Sequence, residues 1–222
     1  MSMLGKNELA KYIQEGKIVF TPALDEFQLQ PNSIDLRIGT SFYLPESWKL
    51  TEAGRVAVLP DYLTREFNQD YLKLIKLNPG QFFEVLPQES VLISSLEKIE
   101  LKSRDIMAVL YPRSSIVRRG FVTQGGVVDV GYKGHLLIPV QNSTNHSLRL
   151  YPGERAYQLL FHSLQSELSE ADAAKHGVES AKYDNATSVN LEARTDSEEE
   201  ISFIKKGDME GLKTKFSLKK GI

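Results

Sequence analysis

Short apolar runs separated by turn-forming residues dominate the chain from about residue 18 to residue 161. β-branched and aromatic residues are frequent within the runs, and Pro, Gly, Asn and Asp cluster between them. This spacing is typical of many short strands rather than of helices. The runs are KIVFTP, SIDLRIG, SFYLPES, RVAVLP, FFEVLP, SVLISSLEKIEL, IMAVLYP, GGVVDVGYKG, HLLIPVQN, SLRLYPGE and AYQLLFHSL. The pattern predicts an all-β domain, a small barrel or double-sheet jelly roll.

Helical patterns occur toward the two ends of the chain. Near the start, apolar residues recur at helical spacing between Asn7, a predicted N-cap, and Gly16, a predicted stop. After the last apolar run, residues 166–186 favour a helix that begins with a sequence like a capping box, Ser166-Glu-Leu-Ser169-Glu. The sequence therefore predicts one short helix on either side of the β-rich region.

The domain organisation follows from these changes of pattern. We predict a β-barrel domain with a short N-terminal helix at residues 1–165, followed by a C-terminal helix and charged arm at residues 166–222. The acidic and basic runs of the arm indicate a solvated surface or disorder. For residues 49–76 the sequence supports no interpretation beyond a flap or an extra hairpin.

Composition and charge narrow the function classes. The 222 residues carry a formal net charge of −2, which argues against binding to bulk nucleic acid but leaves small anions open. There are no cysteines, which excludes disulfides and thiolate metal sites. The N-terminal residues contain no long apolar run, so we expect no membrane span and a cytoplasmic protein. The four histidines lack metal-ligand spacing and predict no zinc site: His135, His146, His162 and His176.

Four polar clusters interrupt the apolar runs and are the candidates for chemistry. Arg113-Ser114-Ser115 combines a guanidinium with two hydroxyls, which suits an anion, although a capped helix start with surface ion pairs is the alternative. Asp129 lies between glycine-rich turns, where it fits a nucleophilic water or a sugar hydroxyl, or simply a turn. No P-loop is present. The clusters are QPNSIDLR, PRSSIVRRG, GGVVDVGYKG and PGERAYQ.

Taken in order, these clusters resemble the motifs of the dCTP deaminase/dUTPase family of trimeric nucleotide enzymes. The sequences QPNSIDLRIG, PRSSIVRRG, GGVVDVGYKG and PGERAYQLLF match four family motifs between about residues 28 and 162. The second motif has the form of the deaminase branch. The resemblance implies a distorted β-barrel or jelly roll, a homotrimer with active sites shared between subunits, and a deoxypyrimidine triphosphate bound with Mg²⁺ that is held mainly through the phosphates.

The resemblance also implies roles for individual residues. Asp129 would contact the deoxyribose 3′-hydroxyl and orient an attacking water, and Tyr132 would pack under the sugar. Phosphate oxygens would be held by the Arg-Ser-Ser cluster, with Gln158 contacting phosphate or bracing the site. Arg118 matches the second arginine of the deaminase-branch motif. The expected substrate-binding set is Arg113, Ser114, Ser115, Arg118, Tyr132, Gln158 and Lys182, with Asp129 as the catalytic residue and no protein metal ligand.

Pro139 departs from this pattern. Deaminases carry a glutamate there that moves protons between water and the cytosine ring, and proline has no titratable group with which to replace it. The Gly-rich C-terminal arm of hydrolysing relatives is also missing from the sequence. Three hypotheses stay open: a dUTP diphosphatase, for which Asp129 and Tyr132 argue; a non-catalytic nucleotide-binding trimer; and a dCTP deaminase with relocated acid–base chemistry.

Overall fold

A computed structural model describes residues 2–58, 71–78, 80–173, 175–176, 179–180 and 197–217 of the protein. Its secondary structure consists mainly of antiparallel strands, with short helices near the two ends of the chain. The strands are β1 (Ser2–Met3), β2 (Ile18–Thr21), β3 (Ile34–Pro45), β4 (Trp48–Thr51), β5 (Gly54–Ala57), β6 (Leu72–Lys76), β7 (Phe83–Val85), β8 (Ser90–Leu101), β9 (Ile106–Pro112), β10 (Phe121–Thr123), β11 (Gly126–Val128), β12 (Lys133–Asn142), β13 (Leu148–Leu150), β14 (Arg155–Ser163), β15 (Lys175–His176) and β16 (Glu179–Ser180). The helices are α1 (Lys6–Gln14), α2 (Ser114–Arg118), α3 (Glu170–Ala173), α4 (Glu198–Lys206) and α5 (Met209–Lys215).

One large antiparallel sheet forms the body of the protein. Its strand order is β10-β12-β8-β3-β14-β9-β11, with β2 and β6 paired to β8 and β3 outside that path. The long central strands β3 and β8 let the sheet curl around a single apolar core. The predicted all-β class, with a curled, barrel-like sheet and short helices near both ends of the chain, is confirmed.

The alternation of β8 illustrates why this sequence curls around a core. Val91, Ile93, Ile99 and Leu101 occupy every second position and are buried, as expected for one face of a half-buried strand. Glu97 occupies the same inward register and is also buried. A carboxyl group therefore lies at a position that the apolar pattern reserves for the core.

The structure corrects two details of the helix predictions. Helix α1 begins at Lys6 after an N-cap at Gly5, so Asn7 lies inside the helix and not at its cap. The predicted stop is confirmed, because Gly16 follows the helix with a φ of +69°. Within the described part of the helix predicted for residues 166–186, the helix is limited to α3, where the Ser169 hydroxyl accepts the amide hydrogen of Asp172 at 3.1 Å. Residues 174, 177, 178 and 181–186 of that prediction lie outside the described residues.

The segments for which the sequence made no firm prediction also contain strands and helices. Strands β4 and β5 form the extra hairpin expected within residues 49–76, of which 59–70 lie outside the described residues. Residues 197–217, assigned to a charged arm, form the helix pair α4–α5 with side-chain caps at Ser197 and Asp208. None of the described helices is long and apolar enough to cross a membrane.

The close approach of β3 to β8 depends on Gly39. The pairing register between these strands shifts between Ile38 and Phe42, and Gly39 lies at that shift. A Cβ atom at Gly39 would lie 2.5 Å from the Ser94 Oγ atom and 2.8 Å from the Ser95 carbonyl oxygen. The second contact is with backbone, which cannot turn away. Only glycine allows the two strands to meet this closely.

Replacing Gly39 with alanine should therefore destabilise the protein by about 1–3 kcal/mol, the usual cost of overpacking a core. The measurement is the urea midpoint of unfolding at a fixed protein concentration. Gly126→Ala is the matched control, because no atom lies within 4 Å of the added Cβ there. Equal midpoints for the two variants would contradict the close approach.

Candidate functional site

Arg113 lies where β9 ends and α2 begins. Its backbone is extended, with φ −73° and ψ 146°, and its amide donates to the Ala156 carbonyl at 2.9 Å. The side chains of Ser114 and Ser115 are exposed beside it. The predicted Arg-Ser-Ser cluster therefore forms a surface with one guanidinium and two hydroxyls. Arg113 stands at the N-cap position of α2, as the alternative expects, but its ion-pair partner is a buried carboxylate and not a surface one.

That carboxylate belongs to Asp35, whose side chain is only 2% exposed. Its Oδ2 atom accepts from Arg113 Nε at 3.2 Å and from Arg155 Nη1 at 3.1 Å. Burial raises the pKa of Asp35, and the two arginines oppose that rise by favouring the charged form. The carboxylate fixes two guanidinium groups at one place on the sheet.

A second buried carboxyl group, Glu97, lies under the neighbouring backbone. Its Oε1 atom accepts from Gln28 Nε2 at 2.7 Å and its Oε2 atom from the Arg37 amide at 3.1 Å. Gln28 Nε2 also donates to the Asp35 carbonyl at 2.9 Å. Burial raises the pKa of Glu97, and these hydrogen bonds oppose the rise. Glu97 therefore supports the strand that carries Asp35.

Two other predicted binding residues lie at the same end of β9. Arg118 donates from Nη2 to the Ser114 Oγ atom at 3.1 Å. Gln158, on β14, pairs in register with Asp35 on β3 and with Tyr111 on β9. The structure therefore brings together five of the predicted residues at the β9 end: Arg113, Ser114, Ser115, Arg118 and Gln158.

Asp129 and Tyr132 form a separate group. The Tyr132 amide donates to the Asp129 carbonyl at 3.2 Å, which closes a turn, and Gly131 supplies the positive φ of +79° that this turn requires. The Tyr132 hydroxyl donates to the His135 carbonyl at 2.9 Å, and its ring packs against the core. Asp129 is half-buried at the start of this turn.

The two groups lie at opposite ends of β9. Strand β11 pairs with β9 so that its last residue, Val128, lies opposite Ala108, near the first residue of β9. Asp129 follows Val128 and therefore lies at that first end of β9. Arg113 follows the last residue of β9. At the usual rise of a strand, the two groups are separated by on the order of 20 Å within one chain. One protomer alone does not bring them onto the same atoms of a ligand.

Pro139 lies within β12 and is exposed, opposite Leu92 of β8. Its carbonyl accepts from the Thr123 Oγ1 atom of β10 at 2.8 Å. Since the N–H and C=O groups of a strand residue point the same way, the nitrogen of Pro139 also faces β10. Strand β10 ends at Thr123, which pairs with Val140, so no backbone partner is lost there. This geometry explains how an inner strand accommodates a proline.

The sequence motifs assign no role to Asp35, Glu97 or Arg155. The sequence contains a signal for two of these residues. Asp35 is a carboxylate inside an apolar run, and Glu97 is a charged residue at an inward-facing position of a strand. Arg155 carries a weaker signal, because an arginine at the start of a strand is common on surfaces. Lys182, a predicted binding residue, lies outside the described residues.

The curled antiparallel sheet, together with an Arg-Ser-Ser surface and an Asp-containing turn, defines the class of dUTPase-type nucleotide proteins. A family profile described as "dCTP deaminase-like" matches residues 3–164. The chain therefore belongs to the dCTP deaminase-like family. The match covers the whole of the curled sheet and ends before α3.

Curated relatives of similar length support this membership. A protein of Dictyoglomus thermophilum named "dCTP deaminase, dUMP-forming" is 32% identical over 186 residues, covering 82% of this chain and 90% of the relative. A protein of Methanosphaera stadtmanae with the same name is 30% identical over 171 residues, covering 75% and 81%.

A solved structure supports the fold. The crystal structure of 2′-deoxycytidine 5′-triphosphate deaminase from Agrobacterium tumefaciens matches with a TM-score of 0.55 and 22% identity over 76% of this chain. The chain spans about half of that protein, 48% of its length. At this identity the likeness concerns the fold alone.

Glu97 generates a prediction about pH. Because the pKa of Glu97 is raised, the folded protein keeps a proton that the unfolded chain has lost, so the contribution of Glu97 to stability falls as the pH rises above the ordinary glutamate value of 4.5. Glu97→Gln should flatten this fall, and the remaining slope comes partly from Asp35. The measurement is the free energy of unfolding from urea titrations between about pH 4 and pH 8.

Glu100→Gln is the control, because Glu100 lies on the same strand but reaches the surface, where it pairs with Lys133 at 3.3 Å. The control variant should keep the pH slope of the native protein. If Glu97→Gln and the native protein had the same slope, the buried carboxyl would not be the source of the pH dependence.

Proposed function

We propose that this protein hydrolyses a deoxypyrimidine triphosphate, most specifically dUTP, to dUMP and pyrophosphate. The observation that carries the proposal is a contrast between two positions. Pro139 stands where the family resemblance places the proton-transferring glutamate of deaminases, whereas Asp129 keeps its place in the turn with Tyr132. The chain has lost the group that deamination needs and has kept the group that would orient a water.

The names of the relatives fit this division. A conversion of dCTP to dUMP requires removal of the 4-amino group and of pyrophosphate. A chain without a general acid or base at the ring retains a route to the second change only. The proposed activity is therefore the hydrolytic half of the reaction for which the relatives are named.

The proposed mechanism is an in-line attack of water on the α-phosphorus. Asp129 accepts a hydrogen bond from that water and orients it, while Tyr132 packs under the deoxyribose. Arg113 and the hydroxyls of Ser114 and Ser115 hold phosphate oxygens. Positioning and charge stabilisation dominate phosphoryl chemistry of this kind, so few reactive groups are needed.

Mg²⁺ is proposed as the metal, held mainly through the triphosphate. Within the described ranges no three His, Asp or Glu side chains converge on one point, so the protein there offers no dedicated metal cage. A site without a cage of protein ligands suits Mg²⁺, which keeps water ligands and binds through substrate phosphates. When bound, the ion would neutralise charge on the phosphate oxygens.

A homotrimer with shared sites is also part of the proposal. The Arg113 group and the Asp129 group lie at opposite ends of β9, so a nucleotide that contacts both needs two copies of the chain. One copy would supply the arginine and the two hydroxyls, and its neighbour would supply the aspartate and the tyrosine.

A second candidate is a nucleotide-binding trimer without catalysis. Pro139 favours it, because a proline there removes a part that acts in catalysis rather than in binding. A dCTP deaminase with relocated acid–base chemistry is the third candidate. Incubation with Mg²⁺ and either dUTP or dCTP separates the three. The products are dUMP with pyrophosphate for the hydrolase, none for the binder, and a deaminated nucleotide with ammonia for the deaminase.

Asp129→Asn should lower dUTP turnover by at least about 10²-fold, because an amide is a poor acceptor for the proton of the attacking water. The dissociation constant for dUTP, measured by calorimetry, should change little. Asp208→Asn is the control, since Asp208 caps α5, outside the residues that form the curled sheet and the turn. Unchanged turnover in Asp129→Asn would contradict the hydrolase proposal.

Pro139→Glu tests the position of the lost group. The side chain at 139 is exposed and the nitrogen faces past the end of β10, so a glutamate fits without breaking the sheet. We expect ammonia release from dCTP to rise about 10²-fold over the native protein, the lower range for a general acid–base group. Pro139→Gln is the matched control, because it restores the N–H and the size without the carboxylate.

A further inference from the structure

Arg155, at the start of β14, carries a charge that neither the motif roles nor the proposed mechanism uses. Its side chain is 27% exposed. The Nη1 atom donates to the Asp35 Oδ2 atom at 3.1 Å and to the Phe27 carbonyl at 2.5 Å. The guanidinium also lies over the Phe27 ring, 5.8 Å from its centroid. These contacts hold the head group at one place on the surface.

Arg155 and Arg113 are neighbours across a single oxygen atom. Asp35 Oδ2 accepts from Arg113 Nε at 3.2 Å as well as from Arg155 Nη1. The Arg113 side chain also contacts the backbone of Arg155, because Arg113 Nη1 donates to the Arg155 carbonyl at 2.9 Å. The two guanidinium groups therefore belong to one cluster.

The cluster carries surplus positive charge. Asp35 is the carboxylate that both guanidinium groups share, so one charge of the pair is balanced and the other is not. The nearby Arg37 is balanced separately by Asp25, with Nη2 and Oδ2 2.8 Å apart. A fixed unbalanced cation at a partly exposed position favours an anionic ligand.

The hydrogen-bond donors of the cluster point to the same conclusion. Among the described residues, the bonds of Arg155 start at Nη1, and those of Arg113 side-chain atoms start at Nε and Nη1. The Nη2 groups of both arginines and Nε of Arg155 remain as donors. Two guanidinium edges side by side match the several oxygens of a polyphosphate.

We propose that Arg155 is a second cation of the phosphate site, acting beside Arg113 on the terminal phosphates, and that it selects a triphosphate over a monophosphate. The proposal rests on the proposed function, since it assigns the triphosphate chain of that substrate to the Arg113 end of β9. Asp35 acts as a positioning residue, because it fixes the spacing of the two arginines without reaching the ligand.

The test uses the whole protein and inorganic tripolyphosphate, titrated by calorimetry at fixed salt. Arg155→Leu should weaken tripolyphosphate binding about 10–100-fold, the usual effect of losing hydrogen bonds to a charged group. Its affinity for dUMP should stay within about twofold of the native value. Arg149→Leu is the control, since it removes one surface arginine that pairs with Glu84 at 3.2 Å on β7.

Arg155→Lys covers the case in which the leucine variant does not fold. Lysine keeps the charge and one contact with Asp35 but lacks the second edge of donors, so tripolyphosphate binding should still weaken about tenfold. Native affinity in either Arg155 variant, an equal loss in Arg149→Leu, or no tripolyphosphate binding by the native protein would overturn the proposal.

The outcome is separable from that of the proposed function. Turnover of dUTP is measured on the native protein in a separate assay. If tripolyphosphate binding depends on Arg155 but no dUMP forms, hydrolysis is wrong and the phosphate site stands. If dUMP forms but the Arg155 variants bind tripolyphosphate normally, hydrolysis stands and the role of Arg155 is wrong.

Discussion

The buried carboxylate of Asp35 is the constraint on which the candidate site depends. A charge with a 2% exposed side chain is tolerated only where partners surround it, and here two guanidinium groups do so. They come from β14 and from the residue that follows β9, so the pairing holds three neighbouring strands in register. Removing either arginine would leave the buried charge of Asp35 incompletely paired. The two partly exposed guanidinium groups are therefore held in place by a carboxylate in the interior.

The geometry of β12 makes a proline at position 139 compatible with the rest of the sheet. A nitrogen that faces past the end of β10 has no ladder bond to lose, so proline costs little there. The turn that holds Asp129 belongs to a different strand pair and does not depend on β12 beyond its first residues. The residue at position 139 can therefore change without disturbing the Asp129 turn, as the proposed hydrolysis without deamination requires.

Sequence periodicity was sufficient for the class of fold, because strand alternation and turn residues are local signals. It was insufficient for the site's support. Asp35 pairs with residues 78 and 120 positions away, and no local pattern selects Arg113 and Arg155 from the other arginines. The prediction of Asn7 as the N-cap was wrong although its local signal was present, because Gly5 already takes the N-cap position and the helix begins at the next residue. The helix pair α4–α5 was missed because its few apolar residues are diluted by charge.

The length of β9 connects the fold to the proposed assembly. A strand of this length separates the Arg113 group from the turn that holds Asp129, and no side chain is long enough to close that distance. A protein with a net charge of −2 also has no broad positive field with which to gather a polyanion. Under the proposed function, affinity would come from a few fixed cations, and the aspartate would come from a second copy of the chain. The same rigid strand that forbids a complete site within one chain would set the spacing of the site between two.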